Sequence, residues 1–208
     1  MREVTAKGNT IEQAVDYALQ QLSTTKDEVD IVIVEEAKKG FLGLFGAKPA
    51  IVTVTRKETV MEKTIKYLSN IVKALDESAQ IEVKETDKSL YFTIKGNKVA
   101  LIIGKRGATL NSLQFLTQTF INRLSKQLIH IVVDAENYRQ KRKESLEILA
   151  IKVSKTVGRT KKAVSLEPMP SFERKIVHNA LTKVPNIITK SVGEDPYRQL
   201  VVSYNSTN

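Results

Sequence analysis

Gly104-Lys105-Arg106-Gly107 is the stretch of this chain whose residue types and spacing point most directly to chemistry. Two glycines three positions apart allow a tight turn and carry no Cβ to hold another backbone away. Between them stand two full positive charges, and the guanidinium can fork onto phosphate oxygens. Amide groups at the start of a following helix, with the local dipole, favour phosphate at the same point. The chemistry implied is capture of a nucleic-acid backbone. A second pair, Arg174 and His178, stands at i and i+4, so on a helix these side chains are surface neighbours, with Lys175 beside them. A basic cluster, Arg139, Lys141, Arg142 and Lys143, opens the helical stretch before that pair.

Bond-breaking chemistry finds little support. There is no cysteine, and the two histidines are His130, in a predicted strand, and His178. No P-loop of the nucleoside-triphosphatase kind, dinucleotide fingerprint or His-Glu-x-x-His pattern occurs. His178 beside Arg174 could assist phosphodiester cleavage, but no second base stands out. The sequence therefore predicts no catalytic residue, no metal site and no cofactor.

A formal charge of +10 and an isoelectric point near 9.6 select polyanions as partners, nucleic acid first and anionic membrane second. The charge is uneven: residues 98–190 carry 18 Lys/Arg against 6 Asp/Glu, so the partner meets the middle and C-terminal regions. No run of about 18 apolar residues is present, and Met1-Arg2-Glu3-Val4 opens no signal-peptide core. A soluble cytoplasmic protein is the expectation.

The elements that must hold these residues read as an α+β chain of three small modules, at 1–57, 58–135 and 136–208. In the first, Thr10 to Gln13 has capping-box spacing before a helix with Ile11, Ala14, Val15, Ala18, Leu19 and Leu22 on one face. Asp30–Val34 and Ile51–Val54 are β-branched strands, giving βαββ. In the second, a helix with Met61, Ile65, Leu68, Val72 and Leu75 in register is followed by strands at Ile81–Lys84 and Leu90–Ile94. The apolar run Val99–Ile103, the glycine turn and a helix over Ala108–Leu124 come next, then a strand at Leu128–Val133, giving αββααβ. The second of these helices shows Leu110, Leu113, Leu116, Phe120 and Leu124 as its apolar stripe. In the third, a long helix with Leu146, Leu149, Val153 and Val157 precedes Pro168 and Pro170. A helix over Ser171–Lys183 follows, with Phe172, Ile176, Val177, Ala180 and Val184 inward and Arg174 and His178 outward. Strands at Ile187–Val192 and Leu200–Tyr204 flank a turn at Gly193–Pro196.

The order helix-strand-strand-helix-turn-helix-strand around Ile102-Ile103-Gly104-Lys105-Arg106-Gly107 resembles the KH domain in its prokaryotic arrangement. In that family the Gly-x-x-Gly loop holds about four nucleotides of single-stranded backbone. The resemblance makes Gly104, Lys105, Arg106 and Gly107 the clamp. Arg174-Lys175-Ile176-Val177-His178 looks like the motif of the Arg-x-x-x-His single-stranded nucleic-acid-binding domain, where a cation reaches phosphate beside an imidazole. With Lys39-Gly40-Phe41-Leu42-Gly43-Leu44-Phe45-Gly46 in the first module, the whole chain resembles the bacterial Jag family. That resemblance implies RNA binding linked to cell-envelope growth and division, with a post-transcriptional regulator or RNA chaperone as the expected role. It also implies a second, smaller KH protein or self-pairing through the KH unit, and a peripheral link to the membrane protein insertase. Members often carry a long charged linker after the first module, whereas here only Arg56–Glu58 intervenes.

The stretch around residues 38–48 stays open between two readings. Phe41, Leu42, Leu44 and Phe45 either fold back onto the sheet or stand out as an apolar loop docking a partner, with Lys38, Lys39 and Lys48 on acidic groups.

Overall fold

The computed structural model describes residues 2–38, 48–86, 89–125 and 127–205, and its described strands form three three-stranded sheets. The chain divides into two units, Met1–Thr64 and Ile65–Asn208.

In the N-terminal unit, β1 (Glu3–Gly8) alternates exposed and buried residues, turning Val4 and Ala6 inward. Helix α1 (Ile11–Leu22) begins at the predicted cap: Thr10 Oγ1 accepts from the Gln13 amide at 3.2 Å. Gln13 Oε1 returns a bond, accepting from the Asn9 amide at 3.0 Å. Ala14, Val15, Ala18 and Leu22 of α1 join Val52 and Val54 in one apolar cluster. Those two valines belong to β3 (Ala50–Arg56), which lies between β1 and β2 (Val29–Glu35) and pairs antiparallel with both. The expected link at Arg56–Glu58 is tied into this unit. The Arg56 amide donates to the Arg2 carbonyl and the Lys57 amide to the Glu28 carbonyl, each at 2.8 Å. Thr59 and Glu62 cap the next helix reciprocally, at 3.1 and 2.9 Å. The segment Lys39–Gly46, with Phe41, Leu42, Leu44 and Phe45, lies outside the described residues; Lys38 and Lys48 on either side exchange two backbone bonds of 3.0 Å.

Helix α2 (Val60–Leu75) runs across the division and buries Leu68 and Val72 fully. Beyond it come β4 (Gln80–Thr86), β5 (Ser89–Lys95), α3 (Val99–Ile103), α4 (Ala108–Leu124) and β6 (Ile131–Ala135). Sheet order is β4-β5-β6, with β5 antiparallel to β4 and parallel to β6, so the chain must cross over through α3 and α4. Leu90, Phe92 and Ile94 of β5, and Ile131, Val133 and Ala135 of β6, face one side and are buried.

Helix α4 corrects the expectation from its sequence. Its buried stripe is Leu110, Leu113, Thr117 and Ile121, while Leu116 and Leu124 are exposed. Two adjacent faces of this helix are apolar, and the polar stripe decides between them. Asn122 Oδ1, Gln118 Oε1 and Gln114 Oε1 accept from the amides of Ile129, Ile131 and Val133 at 3.1, 2.9 and 3.2 Å. Gln118 also donates to the Ile129 carbonyl. These side chains cover the free edge of β6, a device that leaves no open ladder there. The rotation sends Phe120 sideways onto Tyr67 of α2, the rings stacked 4.1 Å apart and nearly parallel. Thr117 tolerates burial because its hydroxyl donates to the Leu113 carbonyl at 2.7 Å. Strand β6 starts at Ile131, opposite Leu90, rather than at Leu128.

The remainder comprises α5 (Tyr138–Thr160), β7 (Val164–Ser165), α6 (Ser171–Leu181), β8 (Ile187–Val192) and β9 (Gln199–Tyr204), with sheet order β7-β9-β8. Strand β7 adds to the two strands expected here; its two residues are too few to carry a sequence pattern. Leu146, Ala150 and Val157 of α5 pack with Val177, Leu181, Leu200 and Val202. Among the described residues, no helix is long and apolar enough to cross a membrane.

Candidate nucleic-acid interface

The glycine turn is placed by Asp76, at the end of α2. Its Oδ2 accepts from the Lys98 amide at 2.6 Å, fixing where α3 begins. Its Oδ1 accepts from the Ser78 hydroxyl at 2.6 Å and the Ser78 amide at 3.0 Å. The Ser78 hydroxyl, then the Lys98 amide, hold this carboxyl below the ordinary carboxylate value. Five residues of α3 then deliver Gly104, with φ +70°. Arg106 at φ +55° and Gly107 at φ +79° complete the turn.

The glycines are required by the fold itself. A Cβ on Gly104 would overlap Thr109 Oγ1, and one on Gly107 would lie 2.6 Å from Tyr138 Cε1. The sequence assigns this demand to an approaching backbone; here the chain's own packing already imposes it. Two amides of the turn are also occupied, Gly107 donating to the Gly104 carbonyl and Ala108 to the Lys105 carbonyl. The full positive charges at this point are on the Lys105 and Arg106 side chains. Lys105 is exposed, and Arg106 is 40% exposed in an ion pair with Glu167, itself 69% exposed. Such a surface pair is worth about 0–1 kcal/mol, so a phosphate can displace the carboxylate.

The basic cluster divides. Arg139 donates from Nε to the Val133 carbonyl at 2.8 Å, from Nη1 to Asn111 at 3.1 Å and from Nη2 to Gln114 at 2.8 Å. Burial, opposed by Asp134, lowers its pKa from the ordinary Arg value. Arg142 donates from Nε and Nη2 to the two oxygens of Glu173, at 2.8 and 2.9 Å, and that hydrogen bonding raises its pKa. In these two members of the basic cluster the guanidinium is tied into the chain's own fold. Lys141 and Lys143 are exposed.

Arg174 and His178 border one groove, but Arg174 does not face outward as expected. It is 6% exposed, donating from Nη1 to the Met169 carbonyl at 2.6 Å and to Asp195 at 3.3 Å. Glu173 is buried and Phe172 is 48% exposed, whereas the sequence pattern turns Phe172 inward. The buried Arg142–Glu173 pair causes this rotation, because α5 draws the carboxylate inward and Phe172 moves to the surface. His178 Nδ1 lies 2.5 Å from Thr189 Oγ1. The groove, about 400 Å³, is lined also by Lys175, Ser191 and Arg198. Arg198 Nε is buried without a hydrogen-bond partner, so this guanidinium has donor capacity left. Sequence reasoning missed Arg198, since only long-range contacts bring it near α6: it directly precedes β9, and its carbonyl accepts from the Met169 amide at 3.2 Å.

Three family models match, in this order along the chain: Jag N-terminus at residues 6–56, the KH domain of KhpA/KhpB at 62–133 and the Arg-x-x-x-His domain at 144–204. The chain belongs to the Jag family. RNA-binding protein KhpB of Bacillus subtilis (strain 168) is 48% identical over 206 residues, covering 98% of this chain and 99% of that protein. RNA-binding protein KhpB of Clostridium symbiosum is 43% identical over 210 residues, covering 100% and 94%. The Lactiplantibacillus plantarum protein of the same name is 36% identical over 146 residues, covering 70% of this chain and 45% of its own.

Proposed function

We propose that this chain binds single-stranded RNA and acts as a post-transcriptional regulator or RNA chaperone linked to cell-envelope growth and division. The phosphate backbone is held at Gly104, Lys105, Arg106 and Gly107, and a second contact is made at the groove of Arg174, Lys175, His178 and Arg198. Domain bounds of 1–57, 58–135 and 136–208 separate these sites from the N-terminal module. One observation carries the reading: a strained turn, fixed by Asp76 and by its own glycines, holds Lys105 and Arg106 at an exposed tip in the most basic part of the chain. Two sites on one chain raise affinity beyond either alone.

The test is fluorescence anisotropy with a labelled randomised single-stranded RNA pool. Lys105→Asp/Arg106→Asp should weaken binding at least about tenfold, by loss and reversal of phosphate contacts. Lys175→Asp, at an exposed position, should weaken it further. Affinity equal to the parent in both variants refutes the assignment, and intact RNA after long incubation is expected of a binder.

A second reading has its own observation. Phe115 is 70% exposed and Leu116 42% exposed on the outer face of α4. A KH unit that pairs with another KH unit, in a second copy of this chain or in a smaller protein, would cover that face. Dimer in sedimentation that dissociates in Phe115→Glu supports it; a monomer at all concentrations, alone and with RNA, counts against self-pairing.

A further inference from the structure

The KH sheet has a second face, opposite the one covered by α4. Alternation along β5 and β6 puts Tyr91, Thr93, Val132 and Asp134 there, with Tyr91 beside Val132 and Thr93 beside Asp134 in the parallel register. This face is not simply open to water. Tyr138 and Leu146 of α5 and Phe172 and Ile176 of α6 join it in lining a cleft of about 630 Å³ that also includes Arg106. The volume falls within the usual range for ligand sites, roughly 300–1,000 Å³.

Three features of the lining identify its occupant. Two aromatic side chains retain exposed area, Tyr91 at 42% and Phe172 at 48%. Both carboxylates of the cleft are engaged: Glu173 holds Arg142 through two bonds, and Asp134 Oδ1 accepts from the Arg139 amide at 3.2 Å. The amide-bearing side chains of Asn137 and Gln140, and the cations Arg106 and Lys143, complete the wall. Aromatic faces with side-chain amides and cations, and engaged carboxylates, match an unstacked base with an attached phosphate. An apolar peptide would leave the cations and amides without use.

We propose that this cleft between the KH and Arg-x-x-x-His modules takes an unstacked nucleobase of the strand whose phosphate is held at Lys105 and Arg106. The inference rests on the single-stranded RNA reading above. Tyr91 and Phe172 supply stacking faces, and Asn137 and the Oε1 of Gln140 supply hydrogen bonds to the base edge, Gln140 Nε2 being engaged with Glu144 at 2.7 Å. Helix α6 then serves two sites, with Phe172 and Ile176 toward the cleft and Arg174, Lys175 and His178 toward the other groove.

The experiment uses the full chain and the randomised single-stranded RNA pool, with Tyr91→Ala, Phe172→Ala, Tyr91→Phe and Lys105→Asp/Arg106→Asp. Each alanine variant should weaken binding by roughly five- to a hundredfold, the range for loss of one base–aromatic stack. Its salt dependence should be unchanged, because no phosphate contact is removed, and Tyr91→Phe should bind as the parent does. Alanine variants with parental affinity, beside a loop variant that loses binding, overturn the cleft and leave RNA binding at the loop intact. Parental affinity in the loop variant as well overturns both. If an alanine variant melts lower than the parent, photocrosslinking of thiouridine-substituted RNA to the parent chain decides. Crosslinks on Tyr91 or Phe172 support the cleft, and crosslinks confined to other residues overturn it, leaving the cleft to a protein partner.

Discussion

Replacing Arg142 by Met tests whether the basic cluster is architecture or interface. The Glu173 carboxylate is almost wholly enclosed, its side chain 3% exposed, and Arg142 is 22% exposed. Both oxygens of Glu173 accept from Arg142, so Arg142→Met leaves a charge in the interior without its counter-charge. Removing one partner of a buried pair costs about 3–5 kcal/mol, far above the roughly 0.2–1 kcal/mol typical of exposed pairs such as Arg106–Glu167. For a unit of this size, at about 2–4 °C per kcal/mol, the midpoint of thermal unfolding should fall by roughly 10 °C. The double variant Arg142→Met/Glu173→Leu removes both charges and should recover most of the loss, since an apolar pair of similar volume is often neutral. Circular dichroism melts and urea titrations of the three proteins provide the measurement. A single variant within about 0.5 kcal/mol of the parent, the scale of ordinary surface substitutions, would show that the pair is not structural. A double variant no more stable than the single one would refute the buried-charge argument.

Other outcomes follow from the same geometry. Gly107→Ala places a Cβ 2.6 Å from the Tyr138 ring at φ +79°, and should lower stability by about 1–3 kcal/mol in urea titration; a parental midpoint would contradict the packing account. The depressed pKa of Asp76 means that its stabilisation is complete above the ordinary Asp value near 3.9 and disappears as pH falls through the lower folded value. The acid limb of a pH–melting curve should therefore flatten in Asp76→Asn, and an unchanged limb would remove Asp76 from the account. RNA affinity should fall with added salt, and the slope of log K against log salt should decrease by about 1–2 in Lys105→Asp/Arg106→Asp; an equal slope in parent and variant would mean that neither cation meets phosphate.

Local chemistry makes much of this protein legible in its sequence. The Thr10–Gln13 cap, the β-branched strands and the helix-turn-helix around Gly104–Gly107 depend on residues within a few positions of one another, so the sequence carries them directly. The same holds for the excess of positive charge over residues 98–190. Where two readings were locally equivalent, sequence could not choose. Helix α4 has two apolar faces, and only the need of β6 for edge partners selects Leu110, Leu113, Thr117 and Ile121 for burial.

The site divides along the same line. Residue types alone identified Lys105, Arg106, Lys175 and His178 as cations or hydrogen-bonding groups for a polyanion, because charge and spacing are properties of the chain. Tertiary structure alone decided which cations remain available. Arg139 and Arg142 are drawn into the fold by Val133, Gln114 and Glu173, partners 6, 25 and 31 residues away in sequence. Arg174 is turned inward to the Met169 carbonyl, while Arg198 is brought to its groove by long-range contacts. An ion's availability depends on what its neighbours desolvate and bond, and those neighbours are assembled by the fold.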